Sequence, residues 1–440
     1  MSASGRQSRL SDRTWPAVTV SHSASDEALL DLVQRQTFRC FWDLAHPVSG
    51  LVRDRSDVHP LYGPDAVTTG GSGFGIMSIV TACSRGWIGR SEAVERLGLV
   101  VHFLERAESY HGIFPHFLDG RTGRTIPFSR KDDGGDIVET AFLFVGLLCA
   151  RQYFRSDAPA ERDLRGRIDR LWREAKWNWH TRDGRHVLYW HWSPRHGWDM
   201  DMEILGWNEC LIAYVMAASS PTHDIDAAAY HRGWAESRRF RNDRRYYGID
   251  LPLGPDFGGP LFFAHYSFLG LDPRGLRDAY ADYWQQNVRH TQINRAHCIA
   301  NPNGHAGYGA DCWGLTSSDG PDGYAAHAPD NDTGVIAPTA ALSSLPYMPA
   351  ESLRVLRHLM GPMRERVWRE HGFVDAFCET RDWYADTWLS IDQGPIVVMI
   401  ENYRSGLLWD LFMSCPEVHV GLGRLGFASP HLARPNTLEA

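Results

Sequence analysis

An all-α toroid, with helices alternating between an inner and an outer ring, is the architecture this sequence predicts. Three observations point to it. Apolar residues recur at helical spacing in about ten to twelve stretches. Alternating strand patterns are scarce, and RHVLYWHW (185–192) is the best of them. The helical stretches are joined by long Gly/Pro-rich loops, among them 53–71, 250–263 and 301–334. Such loops build a cleft at one end of the ring, because functional groups concentrate on loops held by a rigid scaffold.

Along the chain, residues 1–24 are Ser/Arg-rich and aperiodic, so they read as a disordered lead-in. A first helix starts at Ser25-Asp26, where Asp26 lies near the cap. Leu29, Leu30, Leu32, Val33, Phe38, Phe41 and Trp42 follow at helical spacing. Further helices read at 73–86, 91–109, 136–154, 160–176, 202–218, 225–236, 274–288, 350–359 and 393–413. No change in composition marks a linker, so 25–425 reads as one folded unit followed by a tail, 426–440. Two helical subdomains meeting near 221–255 are the alternative.

The chain has 440 residues, 43% hydrophobic and 22% charged, ample for a large core. Its net charge of −8 and the lack of long Lys/Arg runs give no support to a nucleic-acid partner. No apolar run is long enough to span a membrane, and the first residues contain no secretory core. As it stands, the sequence therefore reads as cytoplasmic, or as periplasmic or secreted if a leader has been removed. The eight cysteines form no CxxC and mostly sit in apolar helical contexts, which favours reduced thiols. Only Cys298 and Cys312 share a loop-rich stretch able to hold a bridge. His180, His186, His191 and His196 are dense but match no standard ligand spacing, so neither a metal nor another cofactor is expected.

Seventeen tryptophans make the chain unusually aromatic. An indole serves equally well as core filling or as a platform for the C–H face of a sugar. The acids lie in telling places. In GGDIVETAFL, Asp136 and Glu139 share one face of a predicted helix start. They serve as a capping pair there, or as carboxylates whose repulsion raises one pKa. Glu209, in GWNECLIAYVMA, opens another apolar helix, with Trp190, His191 and Trp192 just upstream. The 301–334 loop adds Asp311, Trp313, Tyr324 and Asp332. The C-terminal stretch adds Glu401 and Tyr403, although an i,i+3 ion pair with Arg404 explains Glu401 as well. With His116 and Tyr266, these are the candidate substrate-binding residues. Two carboxyl groups, one protonated and one ionised, facing across a bond amid stacking aromatics are what glycosidic cleavage needs. The chain has no HExxH, P-loop, GxGxxG after a strand or GxSxG.

Several segments are long and unusual in composition: VTTGGSGFGIMSIV, GGDIVETAFLFVGLL, LYWHWSPRHGW, GWNECLIAYVMAASSPTH, GGPLFFAHYSFLGLDP, WGLTSSDGPDGY and LSIDQGPIVVMIENYRSGLLW. In these the chain resembles the bacterial glycoamylase-like domain family, from about residue 27 to residue 418. That family includes endo-β-1,2-glucanases and the glucan-transferring domain of cyclic β-1,2-glucan synthases. The resemblance implies an (α/α)₆ barrel with its acids at Asp136, Glu139 and Glu209. It also implies endo-hydrolysis of linear β-1,2-glucan to short sophorooligosaccharides, with inversion. Open alternatives are a β-1,2-glucan transglycosylase, an exo-β-glucosidase, a glucoamylase-like enzyme and a non-catalytic glycan-binding barrel. Asp311 and Asp332 are further candidates for the base.

Overall fold

The computed structural model describes Trp15 and residues 24–57 and 62–432. Most of the lead-in and residues 433–440 of the tail lie outside the described residues. Twelve helical segments of the described chain alternate between two rings, forming an (α/α)₆ barrel. The outer ring holds Asp26–Asp43, Arg90–Leu104, Pro159–Glu174, Ala229–Ala235, Tyr283–Ala300 and Pro349–Met360. The inner ring holds Thr69–Ser84, Ile137–Tyr153, Leu211–Ser219, the paired 3₁₀ turns Leu261–Ala264 and Tyr266–Phe268, Pro338–Leu342 and Ser390–Arg404.

Sequence decides which ring a helix joins. Pro159–Glu174 buries only Glu161, Leu164, Ile168, Leu171 and Trp172, a single stripe at helical spacing. Every residue from Ile137 to Arg151, and from Leu211 to Ser219, is buried, as befits helices apolar on all sides. Around the inner ring, Thr69–Ser84 packs on Ile137–Tyr153 and on Ser390–Arg404. Ile137–Tyr153 packs on Leu211–Ser219, which in turn packs on Tyr266–Phe268. His265 Nε2 meets Ser344 Oγ at 2.9 Å, and the Tyr347 hydroxyl donates to the Ala264 carbonyl at 2.9 Å. Pro338–Leu342 then packs on Ser390–Arg404 and closes the ring.

Two inner helices touch backbone to backbone. A Cβ at Gly73 would lie 2.1 Å from the Phe142 carbonyl oxygen, and one at Gly146 would lie 2.2 Å from the Gly73 carbonyl oxygen. Only glycine permits that approach.

Several sequence expectations need correction. The helix expected over 202–218 forms only over Leu211–Ser219. Gly206 takes a left-handed φ of 75°, and the Asn208 side chain accepts from the Cys210 N–H at 3.0 Å, so a turn precedes the helix. The helix expected over 274–288 is Tyr283–Ala300, because Asp282 caps it by accepting from the Gln285 N–H at 3.0 Å. Of RHVLYWHW, only His191–Trp192 is a strand. The start of the predicted tail is anchored, with Ala428 and Arg277 exchanging backbone hydrogen bonds of 2.8 and 2.9 Å and Phe427 buried. The region near 221–255 is no junction of subdomains: it supplies the outer segment Ala229–Ala235 and the hairpin Arg241–Tyr246/Ile249–Leu253. All eight cysteines are free, so Cys298 and Cys312 form no bridge. Among the described residues, no helix is long and apolar enough to cross a membrane.

Candidate active site

The starts of the inner helices bring acids to one mouth of the barrel. Asp136 is the N-cap of Ile137–Tyr153, and its Oδ1 accepts from the N–H groups of Val138 and Glu139, each at 3.0 Å. The two-stranded ladder Gly135–Asp136/His191–Trp192 sets Asp136 directly opposite His191. Asp136 Oδ2 then lies 3.4 Å from His116 Nδ1 and 3.6 Å from His191 Nδ1. Asp132 Oδ1 lies 3.3 Å from the same His191 nitrogen.

Electrostatics sorts these groups. Burial opposes charge on His116, but Glu139, Asp136 and Asp132 outweigh it and lift its pKa to about 10. Burial likewise opposes charge on His191, and Asp132 and Asp136 raise its pKa above the ordinary value. Asp136 loses solvation too, yet His116, His191 and the Glu139 N–H hold its pKa below the usual carboxylate value. An ionised Asp136 therefore sits between the His116 imidazolium and His191. Glu139 differs: burial and the Asp136 charge raise its pKa, against His116 and the Gly70 N–H. That N–H donates to Glu139 Oε2 at 2.7 Å.

Glu209 occupies the turn before Leu211–Ser219. Ser267, on the neighbouring inner segment, fixes it: the hydroxyl donates to the Glu209 carbonyl and accepts from the Ile212 N–H at 3.1 Å. The Glu209 carboxyl is half-buried. Burial, reinforced by the charges of Asp136 and Glu139, raises its pKa to about 7. One mouth thus holds a carboxyl protonated near neutrality and a carboxylate that stays ionised.

A second set of carboxyl groups lines the same end at the start of Ser390–Arg404. Asp392 is buried in the first turn, and Tyr266 donates to its Oδ1 at 3.4 Å. Asp375 Oδ2 accepts from the Asp319 N–H at 2.7 Å, and Asp319 Oδ2 pairs with Arg55 at 2.5 Å. Asp375 Oδ1 and Asp392 Oδ2 are buried with no hydrogen-bond partner beyond the facing carboxyl of the pair. Burial and mutual repulsion raise both pKa values, that of Asp375 to about 7, so the pair holds a proton between them. Sequence reasoning passed over Asp132 and Asp375. Asp132 carries a weak signal, an acid one turn ahead of Gly-Gly-Asp, whereas Asp375 carries none.

The aromatic residues divide. Trp190 and Trp192 are half-buried, and Trp192 meets Trp179 edge-on with centroids 5.9 Å apart. Trp179, 37% exposed, stacks on His111 at 3.8 Å, and Phe128, 46% exposed, stacks on His116 at 4.5 Å. Both were missed in the sequence. Tyr324 is exposed and close enough to Asp392 and Asp375 to feel their charge.

The structure removes five residues from the expected binding set. Trp313 is 0% exposed and belongs to the core, so it offers no stacking face. Trp313→Ala is accordingly expected to cost about 3–5 kcal/mol of stability with an unchanged Michaelis constant, which chemical melts and steady-state kinetics check. Asp311 is a surface partner of Arg354 at 3.1 Å. Asp332 is a loop anchor, held by His297 Nε2 at 2.9 Å, the Tyr308 hydroxyl at 2.8 Å and the Gly334 N–H at 3.1 Å. Glu401 lies in the last turn of Ser390–Arg404, about 13 Å along the axis from Asp392. Arg85 Nε at 2.7 Å, Gln34 at 3.0 Å and the Ser405 hydroxyl at 2.6 Å saturate it. Tyr403 shares that far end, in a groove with Glu27 and Arg85.

Ligand atoms of Asp132, Asp136 and His191 lie within 4.8 Å of one another, close enough to hold a cation. The same atoms are already balanced as an ion pair once His191 is protonated.

Residues 201–416 match the family model described as "Glycoamylase: Putative glucoamylase". The chain is 43% identical over 426 residues to an exo beta-1,2-glucooligosaccharide sophorohydrolase (non-reducing end) of Parabacteroides distasonis. That match covers 92% of this chain and spans 58% of the length of that relative. A crystal structure of a "putative glucoamylase" from Bacteroides uniformis superposes with a TM-score of 0.91 at 56% identity, covering 93% of this chain and 99% of that one. The endo-beta-1,2-glucanase of Chitinophaga pinensis, in complex with sophorotriose and glucose, gives 0.91 at 52% identity, covering 93% of this chain and 100% of that one. An endo-beta-1,2-glucanase of Talaromyces funiculosus shares the fold alone, with a TM-score of 0.62 at 11% identity over 88% of each chain. With identity above one half along whole relatives, and with the acids carried by its inner helix starts, this chain belongs to the glycoamylase-like family of glycoside hydrolases.

Proposed function

We propose that the protein hydrolyses linear β-1,2-glucan from within the chain, releasing short sophorooligosaccharides with inversion. One observation carries the chemistry: Glu209, with a pKa raised to about 7, shares a barrel mouth with an ionised Asp136. Titratable groups whose environments push their pKa values apart mark the acid and the base. Glu209 protonates the glycosidic oxygen. Asp136, ionised between His116 and His191, draws the proton from an attacking water. Trp190, Trp192, Trp179 and Phe128 supply stacking surfaces along the cleft. The substrate class rests on the relatives. The endo mode is supported by the 52% identity to the endo-beta-1,2-glucanase, which this chain covers in full, against 43% to the exo-acting protein, which it covers over 58%.

A second assignment of the base is favoured by the raised pKa values of Asp375 and Asp392. Asp136 Oδ2, like Asp375 Oδ1 and Asp392 Oδ2, has no hydrogen-bond partner outside its own cluster, but His116 and His191 hold Asp136 ionised and make it a weak base, whereas burial and mutual repulsion make the Asp375–Asp392 pair a stronger one.

Two measurements test the reading. Digests of long β-1,2-glucan are expected to yield a range of oligosaccharides early, with chain length falling faster than reducing ends appear. Release of sophorose alone from the first minutes would instead assign exo action. Proton NMR of the first product is expected to show the α-anomer, and an initial β-anomer would overturn inversion.

A further inference from the structure

Away from the mouth, three side chains of different chemistry meet where three segments cross. Cys312 comes from the long loop 301–334, His358 from the outer helix Pro349–Met360, and Glu379 from the start of the turn Glu379–Arg381. Cys312 Sγ, an imidazole nitrogen of His358 and a Glu379 carboxylate oxygen all lie within 4.8 Å of one another. His358 Nε2 is buried without a hydrogen-bond partner. The surrounding backbone is already stitched in place. Gly309 and Cys312 exchange backbone hydrogen bonds of 3.0 and 3.4 Å, and Asp311 pairs with Arg354 of the helix at 3.1 Å. The Ala306 N–H donates to the Thr380 hydroxyl at 2.9 Å. The trio is thus held by its neighbours rather than by its own contacts.

We propose that Cys312, His358 and Glu379 form a binding site for a transition-metal dication, best fitted by zinc, separate from the acid site at the barrel mouth. A thiolate, an imidazole and a carboxylate form a donor set that favours zinc over the oxygen-seeking magnesium and calcium. Tetrahedral zinc holds such ligand atoms roughly 3.3–3.8 Å apart, so side-chain rotation of about 1 Å closes the set. On binding, the Cys312 thiol gives its proton to solvent, and sulfur, nitrogen and oxygen donate to the metal. Three protein ligands leave a fourth position for water or for the second Glu379 oxygen. A metal at this crossing clips the loop that delivers Asp319 and Tyr324 to the mouth.

The test uses the full chain, incubated with zinc, desalted and analysed by elemental mass spectrometry. About one zinc per chain is expected, with an excess of calcium or magnesium failing to displace it. Replacement by cobalt should give a thiolate-to-cobalt charge-transfer band and the visible bands of a tetrahedral ion. Cys312→Ser should abolish the charge-transfer band, and His358→Gln should lower zinc affinity by about 10²-fold or more. Both variants should melt with the metal-free wild type, which in turn melts about 5 °C or more below the zinc-loaded protein. A chain that retains no zinc overturns the site. So does a stoichiometric zinc that survives Cys312→Ser, which would place the ion on Asp132, Asp136 and His191.

Discussion

Glu209→Gln is expected to lower turnover on β-1,2-glucan by about 10²–10⁴-fold, the usual loss for a missing general acid. The glutamine keeps the shape of the side chain and the turn built by Asn208 and Ser267. In the wild type the acid must be protonated, so turnover falls as pH rises through about 7, the value of the Glu209 carboxyl. Stability carries the same signature. The folded-state value lies above the ordinary carboxylate value, so the proton stabilises the fold at low pH, and this contribution is lost as pH rises through about 7. Glu209→Gln should therefore melt at or above the wild-type temperature at pH 8 while failing to turn over. Reducing-end assays and thermal melts across pH 5–9 read both effects. Near-normal turnover by this variant would move the acid elsewhere.

Asp136→Asn is expected to cost about 10²-fold or more in turnover and to lower stability at neutral pH, because the buried charge facing His116 and His191 is lost. Asparagine caps a helix as well as aspartate, so the bonds to the Val138 and Glu139 N–H groups survive. What disappears is the charge between His116 and His191. The His116 pKa should then fall from about 10, detectable by NMR titration of the imidazole. The pH dependence has the opposite sign to that of Glu209. The folded-state pKa of Asp136 is depressed, so its stabilisation is present above the unfolded value and is lost as pH falls through the folded one. Asp392→Asn is the companion variant. A large loss there together with a mild one in Asp136→Asn would give the base to the Asp375–Asp392 pair.

The helical toroid was legible because inner and outer helices differ in where their apolar residues lie. Pro159–Glu174 shows one stripe, and Ile137–Tyr153 is apolar all round. The grouping of Asp136, Glu139 and Glu209 was legible for a related reason: each stands at or just before the start of an apolar run, and the ring gathers those starts. What remained hidden depends on tertiary neighbours. Trp179 and Trp313 are chemically identical, yet one is 37% exposed and the other 0%. Glu401 and Asp392 share one helix, yet its two ends open on different faces of the barrel. Asp375 joins Asp392 only once a loop and an inner helix have folded together. The helix expected over 202–218 began too early because the apolar periodicity of WNECLIAYV runs through a turn that Gly206 and Asn208 impose.

The glycine contact between Thr69–Ser84 and Ile137–Tyr153 bears on how this scaffold tolerates change. A Cβ at Gly70 would sit 2.6 Å from Glu139 Oε2, just as Gly73 and Gly146 leave no room for a methyl group. The three positions act as a spacer gauge, setting how far the helix that carries Glu139 stands from the N–H that holds it. Ala at position 73 would wedge two backbones apart, with an overpacking cost of about 1–3 kcal/mol. The same wedge would move one acid-bearing helix relative to the rest of the ring. Libraries that seek a new linkage preference should therefore leave these glycines fixed and diversify the exposed aromatic residues Trp179, Phe128 and Tyr324. There, side chains can grow or shrink into open space without resetting the alignment of the acids.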